Sequence, residues 1–348
     1  MDQARTFGWG LIGASDIARE YMIPAIKEQP DGWVAAVMSR NITWARRYAS
    51  ENSIPRAYDT LEGILADPDV DIVYISSTNE WHKAPTLAAA ATGKHVLCEK
   101  PLALSVEDAV EMVQACRRAG VVMGTNHHMR NAVTHRTLHK YVADGKIGRP
   151  LAARVFHAFY LPPHLQGWRL DRPDVGGGVI LDLTVHDADA LRFILKSDVE
   201  EVTALAIQQG MAKERLEDGV MGVMRFGNDV LAQFHDAYTI SHAGTGLEVH
   251  GTEGSLFASD AMTGKRGLAL LVRGDKREEI DVRADEKPYV RGVRAFADAV
   301  RSRGEAPATG EDGVWSLAVA LAVRESVRTG RACRPALDPA FARGGRSA

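Results

Sequence analysis

In the first 127 residues, short apolar runs alternate with stretches of helical periodicity, and this alternation restricts the possible folds more than any other feature of the chain. Strands separated by helix-length segments cannot pair as hairpins, so the pattern predicts βαβ units and a parallel sheet. The predicted strands are Phe7–Ile12, Trp33–Met38, Asp71–Ile75, His95–Cys98 and Val121–Thr125, with helices near 17–28, 43–51, 61–66, 83–91 and 106–119. Ser105 with Asp108 three residues on is a weak capping box for the last of these. From about Leu151 the texture changes to alternating strand-like segments, 151–159, 202–208, 220–226, 230–235, 246–250 and 268–272. The turns 226–229 and 251–254 fall between them, which predicts an antiparallel sheet. Helical patterns at 290–303 and 314–329 follow, and the tail from about Arg331 is expected to be loose.

The expected fold is therefore α/β: an N-terminal Rossmann dinucleotide-binding domain (1–127) and a C-terminal α+β domain (128–348) with an open, mainly antiparallel sheet. A length of 348 residues suits two domains. With 45 acidic against 42 basic residues and no basic stripe, a nucleic-acid partner is not expected. Cys98, Cys116 and Cys333 form no C-x-x-C, which argues against a disulfide framework or structural zinc and for a reducing compartment. No apolar run has the length of a membrane span, and the expected location is the cytoplasm.

Five segments carry candidate chemistry. Gly13-Ala14-Ser15-Asp16-Ile17-Ala18 follows the first strand and opens the first helix, where the N–H groups and helix dipole would meet a pyrophosphate. It is a degraded G-x-G-x-x-G, with Ser15 able to offer its hydroxyl to a phosphate oxygen. The second strand ends in Ser39-Arg40. An acidic residue there would bond the ribose 2′-hydroxyl of NAD, whereas a guanidinium suits the 2′-phosphate of NADP, so NADP(H) is the expected cofactor. Arg46 and Arg47 read as a hydrated helix face. At the next strand end, Thr78 and Asn79 are expected to touch ribose or nicotinamide; His82 is a further cofactor candidate, or a helix cap.

Lys100, in Cys98-Glu99-Lys100-Pro101, sits at a strand end, and the proline holds its backbone out of the α region. It is a candidate proton donor or an ordinary surface lysine. In the glycine-led stretch 176–189, a helix would put Asp182 and His186 four residues apart on one face. A carboxylate beside an imidazole can orient it for acid–base work, or the pair is merely structural. With no third ligand evident, no metal site is expected. Together Lys100, Asp182 and His186 read as a proton relay. His127, His128 and His164 are further groups that could converge on a sugar, and Trp168 a pocket wall.

Taken together, Gly13-x-Ser15-x-Ile17-Ala18, Glu99-Lys100-Pro101 and Asp182-x-x-x-His186 resemble the glucose-fructose oxidoreductase and inositol dehydrogenase family of NAD(P)-dependent sugar oxidoreductases. The likeness runs from about Trp9 to Thr329 and is dense at 125–128, 160–169, 176–189 and 310–315. The resemblance implies hydride transfer from NADPH to the C2 ketone of 1,5-anhydro-D-fructose, giving 1,5-anhydro-D-mannitol. The alternatives are a dehydrogenase of another sugar or cyclitol and a non-catalytic NADP-binding sensor. Carried over, Lys100 and His186 bind substrate oxygens and supply the proton while Asp182 orients the sugar or His186. Tyr160, His128 and His164 join the substrate set. Gly13, Ser15, Asp16, Ile17, Ser39, Arg40, Thr78, Asn79, His82, Glu99, Lys100 and Asn126 would face NADP, with Trp168 and Arg169 along the nicotinamide. One departure is Trp44, which stands where the resemblance leads one to expect a phosphate-binding arginine. The oligomeric state, monomer or dimer, is left open.

Overall fold

The computed structural model describes residues 6–263, 267–282 and 286–337. In chain order the strands are β1 (Phe7–Ile12), β2 (Gly32–Met38), β3 (Arg56–Tyr58), β4 (Ile72–Ile75), β5 (His95–Cys98), β6 (Met123–Thr125), β7 (Pro150–Ala158), β8 (Val199–Ile207), β9 (Gly219–Phe226), β10 (Leu231–Ala237), β11 (Gly246–Gly251), β12 (Ser255–Ser259), β13 (Ala269–Arg273) and β14 (Lys276–Ile280). The α-helices are α1 (Ile23–Lys27), α2 (Ile42–Asn52), α3 (Leu61–Leu65), α4 (Lys83–Ala91), α5 (Val106–Ala119), α6 (Val133–Ala143), α7 (Trp168–Asp171), α8 (Val185–Leu195), α9 (Pro288–Ser302) and α10 (Gly310–Thr329). The chain divides into two compact units, Met1–His128 with Glu286–Val314, and Met129–Asp285 with Trp315–Ala348.

The first unit holds a six-stranded sheet of order β3-β2-β1-β4-β5-β6 with every pairing parallel. β1 lies in its middle and all six of its residues are buried, as expected of a strand covered on both faces. The order reverses between β1 and β4, the crevice at which doubly wound sheets take ligands at their carboxyl ends. The short edge strand β3 had no clear pattern in the sequence. Ser105 caps α5 as expected, accepting a hydrogen bond from the Asp108 N–H.

The second unit holds an eight-stranded sheet of order β14-β13-β12-β11-β7-β10-β9-β8. It is antiparallel except where β7 and β10 run parallel, so it is mainly antiparallel as expected. β12 and β14 were not anticipated.

Two expectations about the chain's course are corrected. The boundary near residue 127 is not single, because α9 returns to the first unit. Its buried Tyr289, Val290, Val293, Phe296, Ala297 and Val300 recur at helical spacing and join the core of Trp9, Met22 and Ile26. The tail is tied down at its start: Cys333 and Val202 exchange backbone hydrogen bonds of 2.8 and 2.9 Å, and Ser326 donates to the Arg331 carbonyl. Residues 338–348 of the expected loose tail lie outside the described residues. Among the described residues no helix is long and apolar enough to cross a membrane.

Candidate active site

The β1 turn requires its glycine. Gly13 has φ +110°, and a Cβ there would come within 2.8 Å of the Ser77 backbone nitrogen. The loop is then braced from three sides. The Tyr48 hydroxyl donates to the Ser15 carbonyl at 2.8 Å, Trp44 Nε1 reaches the Ala14 carbonyl at 3.4 Å, and Ser15 Oγ pairs with Ser76 Oγ at 2.7 Å. Ser15 Oγ also accepts from the Ala18 N–H, so in this structure it caps the helix start. That first turn is wound as a π-helix over Ala18–Met22, and the exposed Asp16 pairs with Arg19. Ile17 packs partly buried against the core.

At the end of β2, the Ser39 N–H bonds the Tyr58 carbonyl, while the exposed Arg40 lies with its guanidinium 5.2 Å from the centre of the Trp81 ring. Trp44, where an arginine was expected, lies in the first turn of α2 and donates its N–H to the Asn41 side-chain cap. At the end of β4, Thr78 Oγ1 donates to Glu80. Asn79 is 5% exposed, and its Nδ2 finds no acceptor among the described residues. An enclosed amide donor left over at the carboxyl end of a central strand fits a cofactor oxygen.

His82 is not a cofactor contact. Its ring is fully buried, with Nδ1 2.9 Å from the Pro101 carbonyl and Nε2 3.0 Å from that of Ser77. Burial lowers its pKa, and a neutral ring carries one N–H, so one of the two contacts donates at a time. It stands at the N-cap position of α4, where its carbonyl accepts the Thr86 N–H, but its ring makes no capping bond and instead ties the loop after β4 to the loop that carries Lys100.

That second loop follows β5. Glu99 is buried and its Oε1 accepts from the Tyr74 hydroxyl at 2.5 Å and from Asn126 Nδ2 at 2.6 Å; Oε2 faces the Lys100 N–H at 3.3 Å. Burial raises the Glu99 carboxyl's pKa, and the Tyr74 and Asn126 donors hold the rise back. The result is a fixed acidic group directly before half-buried Lys100, whose bond to Pro101 is cis. Tyr289 of α9 completes this corner, stacked on His128 and on Tyr21 with ring centres 5.0 Å apart in each case. His127 is enclosed at 1% exposure.

In the second unit, Gly178 takes φ +98° where a Cβ would strike the Glu217 carboxylate, which accepts the Ile180 N–H. The helix then starts as a π turn, Ile180–Thr184, before α8. A single wide turn of this kind recurs at functional sites. Asp182 sits inside it, nearly buried, with Oδ2 accepting from Tyr238 OH at 2.9 Å and Arg169 Nε at 3.1 Å. Arg169 in turn lies over the Trp168 ring at 4.6 Å. Asp182 and Arg169, assigned separately to substrate and cofactor, are thus one ion pair. His186 follows on α8 at 6% exposure. His164 and Tyr160 are exposed, and Tyr160 forms a lone bridge to Thr239. Tyr74, Tyr238 and Tyr289 were missed in the sequence; nothing local marks them, since their partners lie 25 to 268 positions away.

Chemically, then, the first unit offers a dinucleotide cradle with a lysine at its rim, and the second a clamped carboxylate next to a shielded imidazole. Comparison with known proteins agrees. A 1,5-anhydro-D-fructose reductase from Ensifer adhaerens is 55% identical over 324 residues, 93% of this chain and 97% of that protein. Among solved structures, an aldose-aldose oxidoreductase from Caulobacter crescentus with glycerol superposes with TM-score 0.87 at 25% identity, over 95% of this chain and 100% of that one. A 3-ketoreductase from Actinomadura kijaniata, in complex with NADP and TDP-benzene, gives 0.80 at 25%, over 92% and 98%. Residues 7–127 match the oxidoreductase family with an NAD-binding Rossmann fold, and residues 135–257 the GFO/IDH/MocA C-terminal domain. With a dinucleotide cradle in one unit and the Asp182–His186 helix in the other, the chain belongs to the GFO/IDH/MocA family of oxidoreductases.

Proposed function

We propose that the protein reduces the C2 ketone of 1,5-anhydro-D-fructose to 1,5-anhydro-D-mannitol with NADPH. The single observation that carries this reading is the 55% identity, over almost the whole of both chains, to a reductase of that name. Lys100, Asp182 and His186 stand at the positions the resemblance requires.

Turning the carbonyl into an alcohol needs a hydride on carbon and a proton on oxygen. Bound NADPH supplies the hydride. Lys100 and His186 are the groups that can hold the carbonyl oxygen and pass it a proton, and Asp182, clamped by Arg169 and Tyr238, offers a fixed acceptor for a sugar hydroxyl. For the cofactor, Gly13 leaves room at the pyrophosphate, Asn79 offers its spare donor, and Arg40 with Ser39 suits the 2′-phosphate. No acidic group at the end of β2 selects the 2′-hydroxyl of NAD.

The test follows NADPH absorbance with purified protein and 1,5-anhydro-D-fructose, alongside NADH and, in the oxidative direction, myo-inositol with NADP. The expected result is rapid NADPH oxidation that a Lys100→Met variant loses by about 10²- to 10⁴-fold while still binding NADPH. No turnover despite tight NADPH binding would overturn the assignment, and turnover of myo-inositol alone would make the protein a cyclitol dehydrogenase.

A further inference from the structure

Around His186 the second unit buries titratable groups that the reaction above leaves unused. His157 of β7 and Asp236 of β10 are register partners on adjacent parallel strands, 2% and 0% exposed. Asp187 of α8, also 0% exposed, receives His157 Nδ1 on its Oδ1 at 2.8 Å. The Thr184 hydroxyl, from the last residue of the π turn, donates to Asp236 Oδ2. The residue two before His186 and the residue one after it are therefore both tied to the strands beneath. The His157 ring also stands 6.2 Å from the His186 ring, inclined by 58°.

Stability is a poor reason for such a cluster, since well-packed apolar side chains of similar volume usually serve as well or better. Two enclosed carboxylates of like charge cannot both ionise cheaply. Burial pushes Asp187 up to about 7 and Asp236 well above the usual carboxylate range, so near neutrality the two hold a proton between them. What the array does provide is direction, because a hydrogen-bonded chain of fixed length admits few arrangements.

We propose that His157, Asp187 and Asp236 are positioning residues for His186. Anchored on β7 and β10, they fix the backbone on both sides of it and hold its imidazole in one orientation. This rests on the reading of His186 as a group that meets the substrate.

The test compares Asp187→Leu, which breaks the chain while keeping the branching and heavy-atom count of the side chain, with Asp187→Asn, which keeps its hydrogen bonds. The expected result for Asp187→Leu is a kcat lower by about ten- to a hundredfold, the loss a small misplacement brings, with KM for the sugar and NADPH affinity within about threefold. Asp187→Asn returns kcat to within about threefold. A folded Asp187→Leu with undiminished kcat, or equal losses in both variants, would overturn the proposal.

A second measurement needs no turnover: in NMR, side-chain couplings of His186 report one χ1 rotamer in the wild-type protein and averaging between rotamers in His157→Phe. Unchanged His186 couplings in that variant would overturn the proposal even if Asp187→Leu fails to fold. If the wild-type protein turns over no sugar, the functional reading fails, and the NMR comparison still decides the positioning.

Discussion

Arg40 shows how much can hang on one side chain. It is exposed at the end of β2, held over Trp81, and no acidic residue competes for its place. A charge-assisted pair with a phosphate is worth about 1.5–3 kcal/mol, so Arg40→Glu is expected to weaken NADPH by about ten- to a hundredfold and leave NADH unharmed. Steady-state KM values for both cofactors check this, and equal effects on the two would reject Arg40 as the selector. Residues of this kind could be named as candidates because their position in a motif states their chemistry: Gly13, Arg40 and Lys100 follow strand ends of the parallel sheet, and Asp182 and His186 share a spacing of four. His82 was misread for the opposite reason. An imidazole looks the same in sequence whether it faces a ligand or two buried carbonyls, and only packing separates the cases.

At the scale of elements, the sequence pattern located β1 and β5 to the residue and α5 through its Ser105 cap. It could not show that Asp182 lies in a π turn, since residues 175–191 are buried throughout and offer no one-sided apolar stripe for an extra residue to displace. Nor could it return α9 to the Rossmann unit. The helix was visible as an amphipathic pattern, but which core its apolar face covers depends on a chain reversal some 160 residues long. That placement has a measurable consequence. Phe296 is 1% exposed with its ring 5.9 Å from that of Trp9. Phe296→Ala is therefore expected to cost about 3–5 kcal/mol, read by denaturant unfolding together with weakened NADPH binding. A loss under about 1 kcal/mol would mean that α9 is not part of that core. Likewise, Gly13→Ala forces a Cβ onto backbone atoms at a left-handed φ, and is expected to reduce NADPH affinity, measured by fluorescence titration, with a smaller change in Tm.

For the molecule as a whole, buried histidine links stability to pH. His135 on α6 is 1% exposed, neither ring nitrogen has a partner among the described residues, and burial lowers its pKa from 6.5 to about 4. A depressed histidine stabilises the fold above pH 6.5, and that contribution is lost as pH falls toward 4, on the order of 3 kcal/mol. Asp187, raised to about 7, acts in the opposite sense: its contribution is present below its unfolded value of 3.8 and is lost as pH rises to 7. His135→Leu is therefore expected to flatten the acid limb of stability between pH 6.5 and 4 while leaving the neutral fold as stable or more so, as urea midpoints across that range would show. An unchanged acid limb would assign it to other groups. The sequence by itself determined the parallel βαβ order, the cofactor end of the sheet and the candidate acid–base residues, because periodicity, glycine geometry and residue chemistry act over a few neighbouring positions. Only the tertiary structure decided that Glu99 is held by Tyr74 and Asn126, that Asp182 is clamped by Arg169 and Tyr238, and that His157, Asp187 and Asp236 meet behind His186. Those contacts join residues far apart in the chain, and burial, which sets their protonation, exists only once the core has closed.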